Sequence, residues 1–81
     1  LLEKEQSSYE ELVKIINALP SIDQRQVVYA RYIDGQDWPA VTAAIFGGQE
    51  DYRERQESYM RRTYRIHGNA LANANKILSK Q

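Results

Sequence analysis

The stretch from Ser58 to Leu78, SYMRRTYRIHGNALANANKIL, decides how this chain is read. Within it Thr63, Ile66, Ala70, Ala74 and Ile77 recur at gaps of three or four residues, the period of one face of an α-helix. Arg61, Arg62 and Arg65 fall within a turn and a half near the start of that helix. Arg61 and Arg65 are four apart and share a face, with Tyr64 beside it. Ser58 is the expected N-cap, since a serine hydroxyl can accept one of the first free backbone N–H groups. Gly68 lies inside the helix, where glycine costs about 1 kcal/mol relative to alanine. From Ser58 onward the charges are Arg61, Arg62, Arg65, Lys76 and Lys80, with no acid.

Upstream, the punctuation is helical as well. Asp37 caps a short helix that tolerates Pro39 in its first turn, with Trp38, Val41 and Ile45 on one side, Thr42 beside them, and Gly47-Gly48 as the break. Ser21-x-x-Gln24 is a capping box that starts the preceding helix. Val27, Val28, Tyr32 and Ile33 are its expected inward face, and Asp34-Gly35 its stop. The first helix is expected over Ser8–Leu19, capped by Ser8, with Glu10 and Glu11 in its first turn and Tyr9, Leu12, Ile16 and Leu19 on one line. Leu1 to Ser7 either extend it or fray, and Pro20 ends it. Gln49 to Glu57 is strongly charged around a single aromatic, Tyr52, and fits a helical turn or two or a mobile loop. No strand-like alternation occurs. The expected fold is all-α: a small four-helix single domain over residues 1–81, ending in a long helix.

Composition narrows the function. At 81 residues the chain is one domain or part of one, and such a chain buries only about 60% of its unfolded surface. That leaves little room for a deep substrate cavity, and no small-molecule substrate is expected. The absence of cysteine excludes a disulfide framework, a thiolate zinc site and a cysteine nucleophile. A single histidine, His67, excludes a polyhistidine metal site, and no glycine-rich phosphate loop is present. Paired acids such as Glu10 and Glu11 are neighbours on a helix and diverge. We therefore expect no enzyme and no cofactor. No apolar run reaches the ~18 residues of a membrane span. The chain opens on Leu1, and we read it as a piece of a longer product.

The formal net charge of zero hides an asymmetry between an acid-rich first half and an acid-free last helix. Arginine forks onto guanine O6/N7 or onto phosphate, and a helix start favours anions. A recognition helix presents its first turns to the major groove in this way. A solvated basic face, or one paired with the acids of the first half, is the alternative reading. His67 is expected as a packed or hydrogen-bonded residue, and Trp38 as a core anchor. Tyr9 and Tyr32 are expected at the core rim, and Tyr52, Tyr59 and Tyr64 towards DNA or a partner.

The strings Arg31-Tyr32-Ile33-Asp34-Gly35, Asp37-Trp38 and Tyr64-Arg65-Ile66-His67-Gly68-Asn69-Ala70-Leu71 together resemble region 4 of the bacterial sigma-70 factors. They are especially similar to phage regulators of the ArpU and RinA kind. The similarity covers about Leu19 to Leu78. It implies a helix-turn-helix core at about 21–78, a positioning helix beginning at Trp38, and a recognition helix that carries "YRIH". It also implies base-facing places for Met60, Arg61, Tyr64 and Arg65, with Arg62 nearer the phosphates. The chain departs from the pattern at 47–57, an insertion where the family has a short turn; it either lengthens the recognition helix backwards or forms a separate loop over the DNA backbone, with Arg53 and Arg55 as further expected phosphate contacts.

The expected function is therefore a sequence-specific, DNA-binding transcriptional regulator of phage or prophage origin, cytoplasmic in a bacterial host, with double-stranded DNA as partner. Host RNA polymerase and a second copy are further expected partners. The alternative is a helical protein-interaction module, a sigma-like binder of RNA polymerase. It would act through Glu3, Glu5, Glu10 and Glu11, without DNA binding of its own.

Overall fold

The computed structural model describes the backbone of residues 2–79 and the side chains of residues 9–79; over that span the chain forms four helices and no strand. They are α1 (Leu2–Ala18), α2 (Ile22–Val28, carried on by a wider π-helical turn over Tyr29–Ile33), α3 (Trp38–Phe46) and α4 (Gln56–Ser79). The all-α, four-helix expectation is met, with corrections at the starts of α1 and α4 and in the inward face of the second helix.

The first correction is the start of α1, which begins at Leu2 rather than at a Ser8 cap. Glu3, Lys4, Glu5 and Gln6 are good helix formers, so the helix has already propagated before Ser8 is reached. The apolar line of α1 meets the core through Leu12, Ile16 and Leu19 but leaves it at Tyr9, which is 53% exposed rather than at a core rim.

The start of α2 follows its local chemistry. Ser21 is extended and its Oγ accepts the Gln24 N–H at 3.1 Å. The Gln24 side chain does not close the box; its Oε1 accepts from Asn73 Nδ2 on α4 at 3.0 Å.

This helix stops at Asp34-Gly35 as expected, and the second correction concerns the face of its last turn. Asp34 N–H donates to Tyr29 O, five residues back, at 3.1 Å, which widens the last turn. In a widened turn residues five apart align, so Ile33, not Tyr32, follows Val28 into the core. Tyr32 is turned out to 47% exposure, where a 3.6-residue period would have buried it. Gly35 then adopts φ +67, a left-handed conformation that side chains other than glycine's resist, and Gln36 N–H closes the cap on Ala30 O at 3.0 Å.

Asp37 caps α3, its Oδ1 accepting Ala40 N–H at 3.0 Å. After Phe46 a series of turns links Gln49 to Phe46, Tyr52 to Gln49 and Arg55 to Asp51. These turns feed directly into α4, which starts at Gln56, two residues ahead of the expected Ser58 cap. The bonds Arg55 N–H to Asp51 O and Tyr59 N–H to Arg55 O, each 3.0 Å, have nucleated the helix before Ser58.

Two buried clusters lie along α4. Ile16, Leu19, Val28 and Ala70 form one, with Leu12, Ile33 and Ile77 packed on it. Val27, Ala30 and Val41 form the other, with Trp38, Ile45 and Ile66. Burying a Leu19-sized side chain contributes about 2–3 kcal/mol. Between the clusters and the turn segment, Thr42 and Thr63 are fully buried; their hydroxyls donate to Trp38 O at 2.9 Å and Tyr59 O at 3.0 Å. Among the described residues no buried side-chain polar atom lacks a partner, and no helix is long and apolar enough to cross a membrane.

Candidate nucleic-acid interface

The inward face of α4 is set by Tyr59, Thr63 and Ala70, all buried, with Ile66 and Ile77 half-buried at its sides. Helical geometry then turns Arg61, Arg65, Gly68, Ala72 and Lys76 to solvent, flanked by Arg62, Asn69 and Asn75; all of these are exposed. The outward face runs for four turns without an acid. The sole ion pair among the described residues is Arg55–Asp51, so Arg61, Arg62 and Arg65 have no acid partner among those residues.

The seven candidate residues separate into groups. Arg61 and Arg65 are exposed side by side on the outward face. Tyr64, 48% exposed, borders them and meets the Trp38 ring edge-on at 5.1 Å. Arg62 is exposed, with its guanidinium 5.5 Å over the Tyr59 ring. Met60 is half-buried, with its Sδ 3.2 Å from Thr42 Oγ1 on α3, a hydroxyl that also donates to Trp38 O. Arg53 is exposed on the turn segment. Arg55 is held by Asp51 at 3.5 Å, an exposed pair contributing under about 1 kcal/mol. Glu54 and Glu57 line the same shallow cleft as Arg53, Arg55 and Arg61, so the turn segment is locally near neutral.

Two aromatic assemblies hold the basic part of α4 in place. In the first, the Tyr32 hydroxyl bonds His67 Nε2 at 2.7 Å, and Trp38 stands edge-on to His67 at 4.8 Å. Arg31 lies 4.9 Å over the Trp38 ring and donates to Gln36 O at 2.9 Å. His67 is thus the hydrogen-bonded helix residue expected of it. Burial, and secondarily the Arg31 charge, pull its pKa below the ordinary histidine value. The ring therefore stays neutral near pH 7, and its tautomer sets which partner of the Tyr32–His67 bond donates. In the second assembly, Tyr59 stacks between Phe46 at 5.0 Å and Tyr52 at 5.8 Å. Its hydroxyl donates to the Asp51 carboxylate, which raises the phenol pKa. Tyr59 is therefore a buried anchor rather than a contact facing DNA or a partner. Through it the 47–57 insertion is fastened to α4.

The composition of the stretch signalled the second assembly, since Phe46, Tyr52 and Tyr59 recur at six- and seven-residue spacing. No local signal pointed to the Tyr32–His67 pair, whose members are 35 residues apart. Among the described residues no group of three or more His, Cys, Asp or Glu side chains is placed to hold a metal ion. No protein-family model, curated protein or solved structure matches this chain.

Proposed function

We propose that the domain binds double-stranded DNA with α4 in the major groove, as a sequence-specific transcriptional regulator. The observation that carries this reading is the pair Arg61 and Arg65, exposed and without an ion pair among the described residues, on a helix face that carries no acid from Arg61 to Lys76 and whose opposite face is locked into the core. An α-helix fits the major groove, and arginine there forks onto guanine. Arg62, Lys76 and Arg53 neutralise phosphates, and Tyr64 contacts base edges beside Arg65. Arg55 contributes less, because Asp51 already holds it. A phage or prophage setting rests on the sigma region-4 resemblance alone, as does the helix-turn-helix name for α3 and α4.

The test is titration of the domain with duplex DNA at two salt concentrations. Three phosphate contacts give a log–log slope near −2.7, so affinity falls about 40-fold between about 50 and about 200 mM salt. Binding that ignores salt would contradict the proposal.

One observation favours the second reading, a protein-interaction module directed at RNA polymerase. Glu54 and Glu57 crowd the start of α4 and offset the arginines there, where a DNA-reading helix gains from positive charge. A polymerase contact made through the acidic first half would leave Arg61→Ala and Arg65→Ala without effect.

A further inference from the structure

Two adjacent residues in the middle of α4, Gly68 and Asn69, are poor helix formers, and both are exposed, so core packing does not require them. A Cβ at Gly68 would meet no atom beyond its own helical turn within 4 Å, and the helix runs unbroken through it from Gln56 to Ser79. Alanine would therefore fit there and hold the helix better. The amide of Asn73, one turn on, is used inside the fold, on Gln24 at 3.0 Å, whereas Asn69 is exposed. Arg61, Arg65 and Asn69 follow one another along the outward side at four-residue steps, about 6 Å each. Beside them, Gly68 leaves the helix backbone bare.

We infer that α4 comes closest to the floor of the major groove at Gly68 and that Asn69 reads an adenine there, an inference that rests on the reading of α4 as a DNA-binding helix. An arginine reaches a base edge on a long arm, but an asparagine amide sits one methylene from the backbone. It meets a base only where the backbone itself approaches, and a neighbour without a Cβ permits that approach. The amide, a donor and an acceptor side by side, pairs bidentately with adenine N6 and N7. For a helix lying along the groove, one four-residue step of about 6 Å places the adenine about two base pairs from the guanine of Arg65. The bare position does not suit a second copy of the helix. In either orientation, packing across it would set the cations Arg61, Arg65 and Lys76 against those of the other copy.

Selection of bound sites from a pool of random DNA duplexes, by the parent and by Asn69→Ala, tests it. The parent should enrich guanines and, about two base pairs away, an adenine. Asn69→Ala should keep the guanines and lose the adenine preference, with affinity for the parent's site down about 5–150-fold. Replacing that adenine by 7-deazaadenine, which lacks the N7 acceptor, should weaken the parent and leave Asn69→Ala unchanged. Gly68→Ala should raise Tm by about 4–8 °C and yet weaken binding at least about fivefold. A glycine with a purely structural role would not move those two readouts in opposite directions. Circular dichroism melts verify that each variant is folded. Enriched guanines without an adenine that depends on Asn69, or a Gly68→Ala variant that binds like the parent, overturn the inference and leave the DNA reading standing. A pool with no enriched site overturns both.

Discussion

Tyr32→Phe removes one hydroxyl and, with it, the bond that ties the end of the second helix to the middle of α4. The phenol oxygen and the ring nitrogen are 2.7 Å apart, a full-strength hydrogen bond, so its net contribution falls in the ordinary range of about 0.5–1.5 kcal/mol. Tyr32 is 47% exposed, so water reaches His67 once the hydroxyl is gone and the loss stays at the lower half of that range. The phenyl ring retains the stacking on His67, whose centroid lies 5.8 Å away. His67→Ala costs more, because it also deletes the edge-on contact with Trp38 at 4.8 Å, worth about 0.5–1.5 kcal/mol. Urea denaturation of the parent, both single variants and the double variant yields a coupling energy. We expect about 0.5–1 kcal/mol, equivalent to about 2–8 °C in Tm for a domain of this size. A coupling near zero with both single variants destabilised would refute the argument, since it would show that the two residues act through separate contacts.

The same histidine sets a pH dependence. Its folded pKa lies below the unfolded value of 6.5, so above pH 6.5 both states are neutral and stability is at its full value. As pH falls through 6.5 the unfolded chain takes up a proton first and stability declines, levelling off below the folded pKa; urea midpoints across that window should show the decline in the parent and lose this component in His67→Gln. Gly35→Ala forces a Cβ into φ +67 and should cost about 1–2 kcal/mol, measurable by the shift in denaturation midpoint, with Gly35→Asn costing less. Leu19→Ala, at a site 2% exposed where α1 meets α2 and α4, should cost about 3–5 kcal/mol by transfer and cavity terms together and bring the domain close to unfolding at 37 °C, which a thermal melt would report.

Much of the fold was legible because its signals are local. Pro20, Ser21 with Gln24, Gly35 and Asp37 each act within three or four residues, and the helices start or stop where these residues direct. The exposed placement of Arg61 and Arg65 was legible for the same reason: the periodicity of Thr63, Ile66 and Ala70 fixes which way the rest of the helix turns. The misreadings have a common origin in contacts that periodicity does not encode. A constant 3.6-residue period placed Tyr32 inward, but one widened turn gave that place to Ile33. Ser58 looked like a cap because serine is a good one, yet Tyr59 is clamped by Phe46, Tyr52 and Asp51, and that clamp carries the helix two residues further back.

The central claim is that the exposed arginines of α4 read DNA. The most direct test is to titrate the purified domain against fragments of phage genomic DNA, in parallel with Arg61→Ala/Arg65→Ala, at low and moderate salt. Each lost arginine–guanine fork is worth about 1–3 kcal/mol, so the double variant should lose at least about 30-fold in specific affinity while melting like the parent. Saturable, salt-sensitive binding abolished by the pair of substitutions is the result the account predicts. Absence of binding at low salt, or affinity in the double variant within twofold of the parent, would contradict it.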